Sequence, residues 1–462
     1  ALYEQGNYEK ATLEFKNVLQ IDPKHVESRY LLGRIQETKQ NWRAAFANYS
    51  RVVELDPTHV DARVRLGNLY LLGNAPEKAM EMAEEALTYE PDNPDAHVLR
   101  GSVRARQGDT VAALRDGQTA LEADASHAGA ILLLSSLYAR DKQVDKAVAL
   151  LDDGIRRHPD NTTLRLLLAN IYIDEQQYAK AVGPFQEIIS IEPQNIGHHI
   201  RLSAFHIELR QLDEAENVLR DAIAVNPESD TAKLALVEFL ASQRDRSLAE
   251  RELVGFIQQA PSDYALRFAL ATLYEASATL EKAKDVYRDI IQLDGKRPQG
   301  LKARNALSRL YLTQNNVPAA EAMVAEVLQE NPRDSEALLM RGNIALAKPD
   351  LPAAIADLRT VLRDQPNSGR ALRLLARAHQ LNSEPELAKE TLQRAVKASP
   401  RDIPTRLELA QSFAQGANLD SALEELQAVL DVSPVHLGAL QAQIRIQMAK
   451  GDWGAAERIA QH

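Results

Sequence analysis

Arg370, Arg373 and Arg377 stand at i, i+3 and i+7, a spacing that puts three guanidiniums on one face of a helix. A guanidinium fork takes a carboxylate through two parallel hydrogen bonds, so such a face would receive acidic groups. Little else in the sequence points to chemistry. Cysteine is absent, which removes disulfides, thiolate nucleophiles and cysteine-based metal sites. His25, His59, His127 and His436 fall at one equivalent place, just before a helix would begin, as turn or helix-start residues do. His198 and His199 are adjacent and would point about 100° apart on a helix, so they do not form an i, i+4 chelating pair. The acidic pairs Glu84-Glu85, Asp152-Asp153 and Glu424-Glu425 read as solvated helix faces. No phosphate loop, dinucleotide fingerprint, nucleophile elbow or His-Glu-x-x-His string occurs. The expectation is a binding protein, not an enzyme, with no catalytic residue, no metal and no cofactor.

The chain has 462 residues, 65 acidic and 54 basic, for a net charge of −11. That balance argues against a nucleic-acid partner, because such binding rests on neutralising phosphates with Lys and Arg. With 45% hydrophobic and 26% charged residues the composition is that of a folded soluble protein, not a disordered one. The longest apolar stretches, such as Ala130 to Leu134, fall far short of the roughly 20 residues of a membrane span. The sequence opens on Ala1 without a cationic leader, so any targeting peptide is expected to lie upstream or to have been removed.

The elements that would position the arginines are set by a repeat. Prolines at Pro23, Pro57, Pro91, Pro159, Pro193, Pro227 and Pro261 are separated by 34 residues or by twice 34, and the beat resumes at Pro332, Pro366, Pro400 and Pro434. Between Pro261 and Pro332 there are three residues too many for two periods. Twelve residues before each mark stands an alanine, fourteen in all, from Ala11, Ala45, Ala79, Ala113, Ala147 and Ala181 to Ala422 and Ala456. Each period holds two runs of helical apolar spacing around a polar turn, for example Tyr30, Leu31, Gly33, then Gln40-Asn41, then Ala45, Tyr49, Val52, Val53. A methyl side chain lets two helices cross closely. The proline cannot continue a helix and stops the second one at a fixed place.

This pattern resembles the tetratricopeptide repeat family over the whole chain. Good copies are Leu66-Gly67-Asn68-Leu69-Tyr70 with Ala79 and Pro91, and Leu168-Ala169-Asn170-Ile171-Tyr172 with Tyr178, Ala181, Phe185 and Pro193. Departures are Ala125 and Gly295 in place of the helix-ending proline, Val237 at a small-residue position, and the insertion at 296–300. The resemblance implies an all-α, right-handed superhelical α-solenoid whose first helices line a concave groove. Twelve full repeats are expected to begin at Val26, Val60, Pro94, Ala128, Thr162, Ile196, Asp230, Tyr264, Leu301, Ser335, Gly369 and Ile403, with partial repeats at 1–25 and 437–462. The expected organisation is one array over 1–295, a hinge at 296–300, and a second array over 301–462.

In the family, positions 2, 5, 9, 12 and 13 of the first helix face the groove. Lys302, Asn305, Arg309, Glu336, Asn343, Arg370, Arg373 and Arg377 hold such positions here, giving a cationic strip in an acidic protein. The set resembles the clamp by which chaperone-binding members hold a terminal carboxylate, but it is richer in Arg and shifted in register. A second candidate surface is Arg34, Arg65, Asn68, Ser102 and Arg106, and between the two the groove positions turn apolar at Leu132, Leu166, Ile173, Ile200, Ile207, Leu234 and Phe268. The opening Leu2-Tyr3-Glu4-Gln5-Gly6-Asn7-Tyr8-Glu9-Lys10-Ala11 is similar to the first repeat of bacterial envelope lipoproteins of exopolysaccharide export and exosortase-linked systems. That likeness implies a periplasmic setting, with the cytoplasm as the alternative, and a lipidated cysteine upstream of Ala1. The expected partner is a protein or peptide with an acidic segment, held in an envelope secretion or exopolysaccharide assembly. The alternative partner is an anionic polysaccharide.

Overall fold

The computed structural model describes residues 2–461. Among them are 27 α-helices, from Tyr8–Ile21 to Trp453–Ala460, and no strand. The helices form antiparallel pairs in tandem, so each part of the chain is an α-solenoid. The chain divides into two compact units, Ala1–Ala232 and Lys233–His462. No helix among the described residues is long and apolar enough to cross a membrane.

The recurring alanines explain the pairing. All fourteen are buried, among them Ala45, Ala79, Ala181, Ala283 and Ala388 at 0% exposure. Opposite most of them the first helix also carries a small residue. A Cβ on Gly33 would lie 2.4 Å from the Tyr49 ring of its paired helix, and one on Gly67 would lie 3.1 Å from the Met82 Cβ, so a larger side chain at either place would have to displace its neighbour. At two of the three places where serine replaces glycine the hydroxyl finds a partner: Ser203 donates to the Ala215 carbonyl at 3.0 Å and Ser308 to the Ala320 carbonyl at 3.1 Å, whereas the buried Ser135 hydroxyl has none among the described residues.

Helix ends follow the period as well. The first helices start at Val26, Val60, Pro94, Ala128, Thr162, Ile196, Asp230, Tyr264, Ser335, Gly369 and Ile403, the residues that the spacing marks as repeat starts. His25, His59, His127 and His436 are N-caps. In each, the ring Nδ1 accepts a backbone N–H three residues on, from Ser28, Ala62, Ala130 and Ala439 at 3.1–3.3 Å. Most turns between paired helices contain one left-handed residue, and Gln40, Asn74, Lys142, Gln176, Arg210, Ala278, Ser383 and Ala417 adopt it with φ of 55–61°. Pairs are joined at the prolines. Arg29, Arg63, Arg267 and Arg406 each donate to the carbonyl of the proline six residues earlier, which ties the inter-repeat turn to the next helix.

The insertion is absorbed by lengthening one helix. Pro298–Thr313 has 16 residues and starts three residues before Leu301, so the added segment forms an extra N-terminal turn. The segment expected as a hinge makes several local hydrogen bonds. The Asp294 carboxylate accepts from the N–H groups of Gln299 and Gly300, both at 2.9 Å, and Arg304 donates to the Gly295 carbonyl at 2.6 Å. A Cβ on Gly300 would stand 2.1 Å from the Gly295 oxygen, so the turn closes only around glycine. The division between compact units falls elsewhere, inside the Asp230–Gln243 helix.

Candidate functional site

The candidate groups sit on first helices, and the way each is packed separates them into linkers and open groups. In the first unit, Arg65 donates to the Glu37 carboxylate at 2.9 Å and to the Tyr30 hydroxyl at 3.3 Å. Tyr49 donates to the same Glu37 oxygen at 2.6 Å, and burial, followed by the neighbouring carboxylate, pushes the Tyr49 hydroxyl far above the usual phenol range. Tyr49, Glu37 and Arg65 therefore link one repeat to the next. Arg34 lies 5.3 Å from the Tyr3 ring centre and 6.0 Å from that of Tyr30, a cation stacked on aromatic faces. Arg106 reaches back to the Leu71 carbonyl at 2.7 Å and the Asn74 side chain at 2.9 Å. Asn68 is exposed, with no hydrogen-bond partner among the described residues.

Between these groups and the end of the first unit, Leu132, Leu166, Ile173 and Ile207 are half-buried and Ile200 is exposed. Leu132, Leu166 and Ile173 also pack on the cores of their own repeats, so this band serves as inter-repeat core and as surface at once.

In the second unit the face begins with half-buried Leu234 and Phe268 and then becomes polar. Lys302 is exposed with its ammonium 4.5 Å from the Phe268 ring centre. Asn305 is 3% exposed and donates to Asp334 at 2.9 Å, the residue that caps the Ser335–Ala347 helix; its own Oδ1 finds no acceptor role among the described residues. Arg309 holds Glu275 at 3.1 and 3.2 Å while the Tyr287 hydroxyl donates to Glu275 at 2.5 Å, a second Tyr–Glu–Arg link of the kind made by Tyr49, Glu37 and Arg65.

The Arg trio lies on Gly369–Leu381. Arg373 is half-buried and pairs with Asp402 at 3.5 Å. Arg370 and Arg377 are exposed, with no hydrogen-bonded partner among the described residues. Glu408, on the next first helix, lies near Arg373 and Arg377; burial raises its carboxyl above the usual range, with Arg373 and Arg377 pulling it down and Asp402 pushing it up. Asn343 on the preceding repeat is half-buried and Glu336 exposed. Within each unit the candidates thus separate by how they are packed. Arg65, Asn305, Arg309 and Arg373 act within the fold, Arg34 and Lys302 cover aromatic rings, and Asn68, Asn343, Arg370 and Arg377 remain available.

One cation escaped the reading of the sequence. Arg445 lies in the last first helix, Leu437–Lys450, at the same ninth place as Arg309, Asn343, Arg377 and Gln411, and it is exposed. Extending the register past 437 finds it. With Gln411 it rims a cavity of about 440 Å³ floored by Leu407, Ala410, Ala414, Ala442 and Ile446. No group of three or more His, Asp or Glu side chains placed to hold a metal ion is found among the described residues.

A face of successive helices carrying variable side chains, over helix pairs held by small-residue crossings, defines a repeat protein of the α-solenoid class. Family models described as tetratricopeptide repeat match residues 37–103, 104–171, 139–193 and 172–236, and residues 1–59, 305–360 and 350–403. The chain belongs to the tetratricopeptide repeat family. No curated protein matches it. Among solved structures it is similar to the APC/C hetero-tetramer Cut9-Hcn1, at 15% identity and a TM-score of 0.40 over 96% of this chain and 94% of that one. It is also similar to yeast Tom70, at 16% identity and a TM-score of 0.45 over 93% of this chain and 96% of that one. A third likeness is to Naa15/Naa10 bound to HypK-THB, at 15% identity and a TM-score of 0.43 over 100% of this chain and 79% of that one.

Proposed function

We propose that this protein is a non-enzymatic scaffold that binds a partner protein through the first-helix face of its second unit, at an acidic segment of the partner. The observation that carries this reading is the state of Arg370 and Arg377. In a chain of net charge −11, both guanidiniums stand exposed on one helix without a hydrogen-bonded acid, while Arg65, Arg309 and Arg373 on comparable helices are paired internally. An unpaired guanidinium fork on a rigid helix is pre-organised for a carboxylate and loses little freedom on binding. The setting we propose is a bacterial envelope assembly for secretion or exopolysaccharide export, on the strength of the opening residues.

The test is capture of cross-linked partners from a bacterial envelope extract by the wild type and by Arg370→Glu with Arg377→Glu. The double variant is expected to lose an anionic partner while keeping its helical circular dichroism, and retention of that partner would remove this face as the site. A salt titration separates protein from acidic polysaccharide. Polymer held by charge alone weakens steeply with ionic strength, whereas a partner that also buries apolar groups survives.

A further inference from the structure

We infer that the second unit reads an extended peptide in which one aliphatic side chain is flanked on both sides by acidic residues; this rests on the scaffold reading above and specifies the partner. The inference starts from the cavity beside Arg445. Its floor is made by Ala410, Ala414 and Ala442 with Leu407 and Ile446, so methyl-sized side chains leave an apolar space of about 440 Å³, more than one Leu or Ile side chain needs. Its rim carries two polar groups, Gln411 and Arg445, neither of which has a hydrogen-bond partner among the described residues. An apolar pocket with a donor fork at its edge selects an apolar group next to a carboxylate.

The neighbouring repeats extend the pattern. Arg377, Gln411 and Arg445 hold the same register place on three consecutive first helices, and Arg370 lies two turns before Arg377. Helices packed at about 10 Å put Arg377 and Arg445 roughly 20 Å apart, the reach of about six extended residues at ~3.3 Å each. A carboxylate near each arginine leaves a side chain over the Ile403–Gln415 helix, at the edge of the cavity that this helix shares with Leu437–Lys450, and the Gln411 amide is placed to meet the peptide backbone there. Of the trio only Arg373 is ion-paired, to Asp402, so a doubly acidic peptide is matched by Arg377 and Arg445 together.

The test uses the full chain and a fluorescent peptide, Glu-Ser-Gly-Leu-Gly-Ser-Glu, read by anisotropy. Replacing its Leu by Ser is expected to weaken binding tenfold or more, since a buried aliphatic side chain is lost. Arg445→Gln should cost about fivefold toward the parent peptide. Ala414→Phe, which fills the cavity, should abolish the preference for Leu over Ser while leaving the weaker binding of the Ser peptide unchanged. Arg445→Gln changes an exposed residue, so it remains informative if Ala414→Phe disturbs folding. Equal affinity for the Leu and Ser peptides overturns the cavity's role and leaves the cationic reading standing. Equal affinity for the parent and a peptide with Gln for both Glu overturns the cationic reading itself. Binding of dodecanoate with no binding of any peptide overturns the proposal in favour of a small amphiphile.

Discussion

Arg100 donates from Nε and Nη2 to Asp116 at 3.1 and 2.7 Å, and sixteen residues likewise separate Arg341 from Asp357, which it holds through two bonds of 2.7 Å. In both repeats an ion pair replaces the Leu found at the arginine's place in neighbours such as Leu134 and Leu375. The settings differ. Asp116 is 2% exposed and also takes Arg104 at 2.7 Å, whereas the Arg341 side chain is half in solvent. Removing the acid leaves two poorly solvated guanidiniums in the first case and one solvated guanidinium in the second. Asp116→Ala is therefore expected to cost about 2–3 kcal/mol and Asp357→Ala about 1 kcal/mol. Urea melts of the two variants check the order, and equal losses would contradict the burial argument.

The recurring alanine tests the crossing. Ala181 is fully buried in the helix Tyr178–Ile191, while Ala179 in the same helix is exposed. Ala181→Leu is expected to overpack the crossing at about 1–3 kcal/mol, and Ala179→Leu to stay within about 0.5 kcal/mol. Thermal melting of the two variants provides the comparison, and an unchanged midpoint for Ala181→Leu would speak against close approach as the reason for the period.

The turn positions offer a gain. Ala278 and Ala417 hold φ of 55° and 58°, the left-handed region that costs an L-residue about 1–2 kcal/mol, while glycine loses about 0.5–1 kcal/mol in chain entropy. Ala278→Gly and Ala417→Gly should each stabilise by about 0.5 kcal/mol, and Gly108→Ala, at the equivalent turn with φ of 88°, should destabilise by a similar amount or more. Chemical denaturation with an unchanged m-value would measure both signs.

These cases show why the fold is legible in the sequence and the site only in part. The helix pair needs a methyl at one crossing and an imino acid after each second helix, and both demands are local, so the spacing of Ala and Pro fixes where the first helices begin. Even the insertion leaves its length in the proline interval, although the sequence does not show that Asp294 and Gly300 would tie it down. The availability of a cation is a different kind of property. Arg65 finds Glu37 from the preceding repeat, and Arg309 finds Glu275 over 34 residues, through rotamers and helix offsets that a register of positions does not contain. Charge could be read, but pairing could not. Arg445 lies in a partial repeat by length, yet Leu437–Lys450 forms a complete first helix, and only that helix gives the arginine its register place.

The last prediction concerns acid. His199 is 2% exposed, its Nδ1 has no hydrogen-bond partner, and burial lowers its pKa, with the Asn195 backbone and Asp221 opposing and His198 adding to the shift. The unfolded chain carries this imidazole near its ordinary pKa of about 6.5, so the unfolded state takes up the proton first. Its contribution to stability is therefore complete above that value and is lost as pH falls below it toward the folded-state pKa. His199→Leu removes the titration and fills the same buried place with an apolar side chain. The wild type is expected to lose more melting temperature between pH 7.5 and 5.5 than this variant does. The N-capping histidines are common to both proteins and cancel in the comparison. Parallel melting curves for the two proteins across that range would show that burial does not hold His199 neutral.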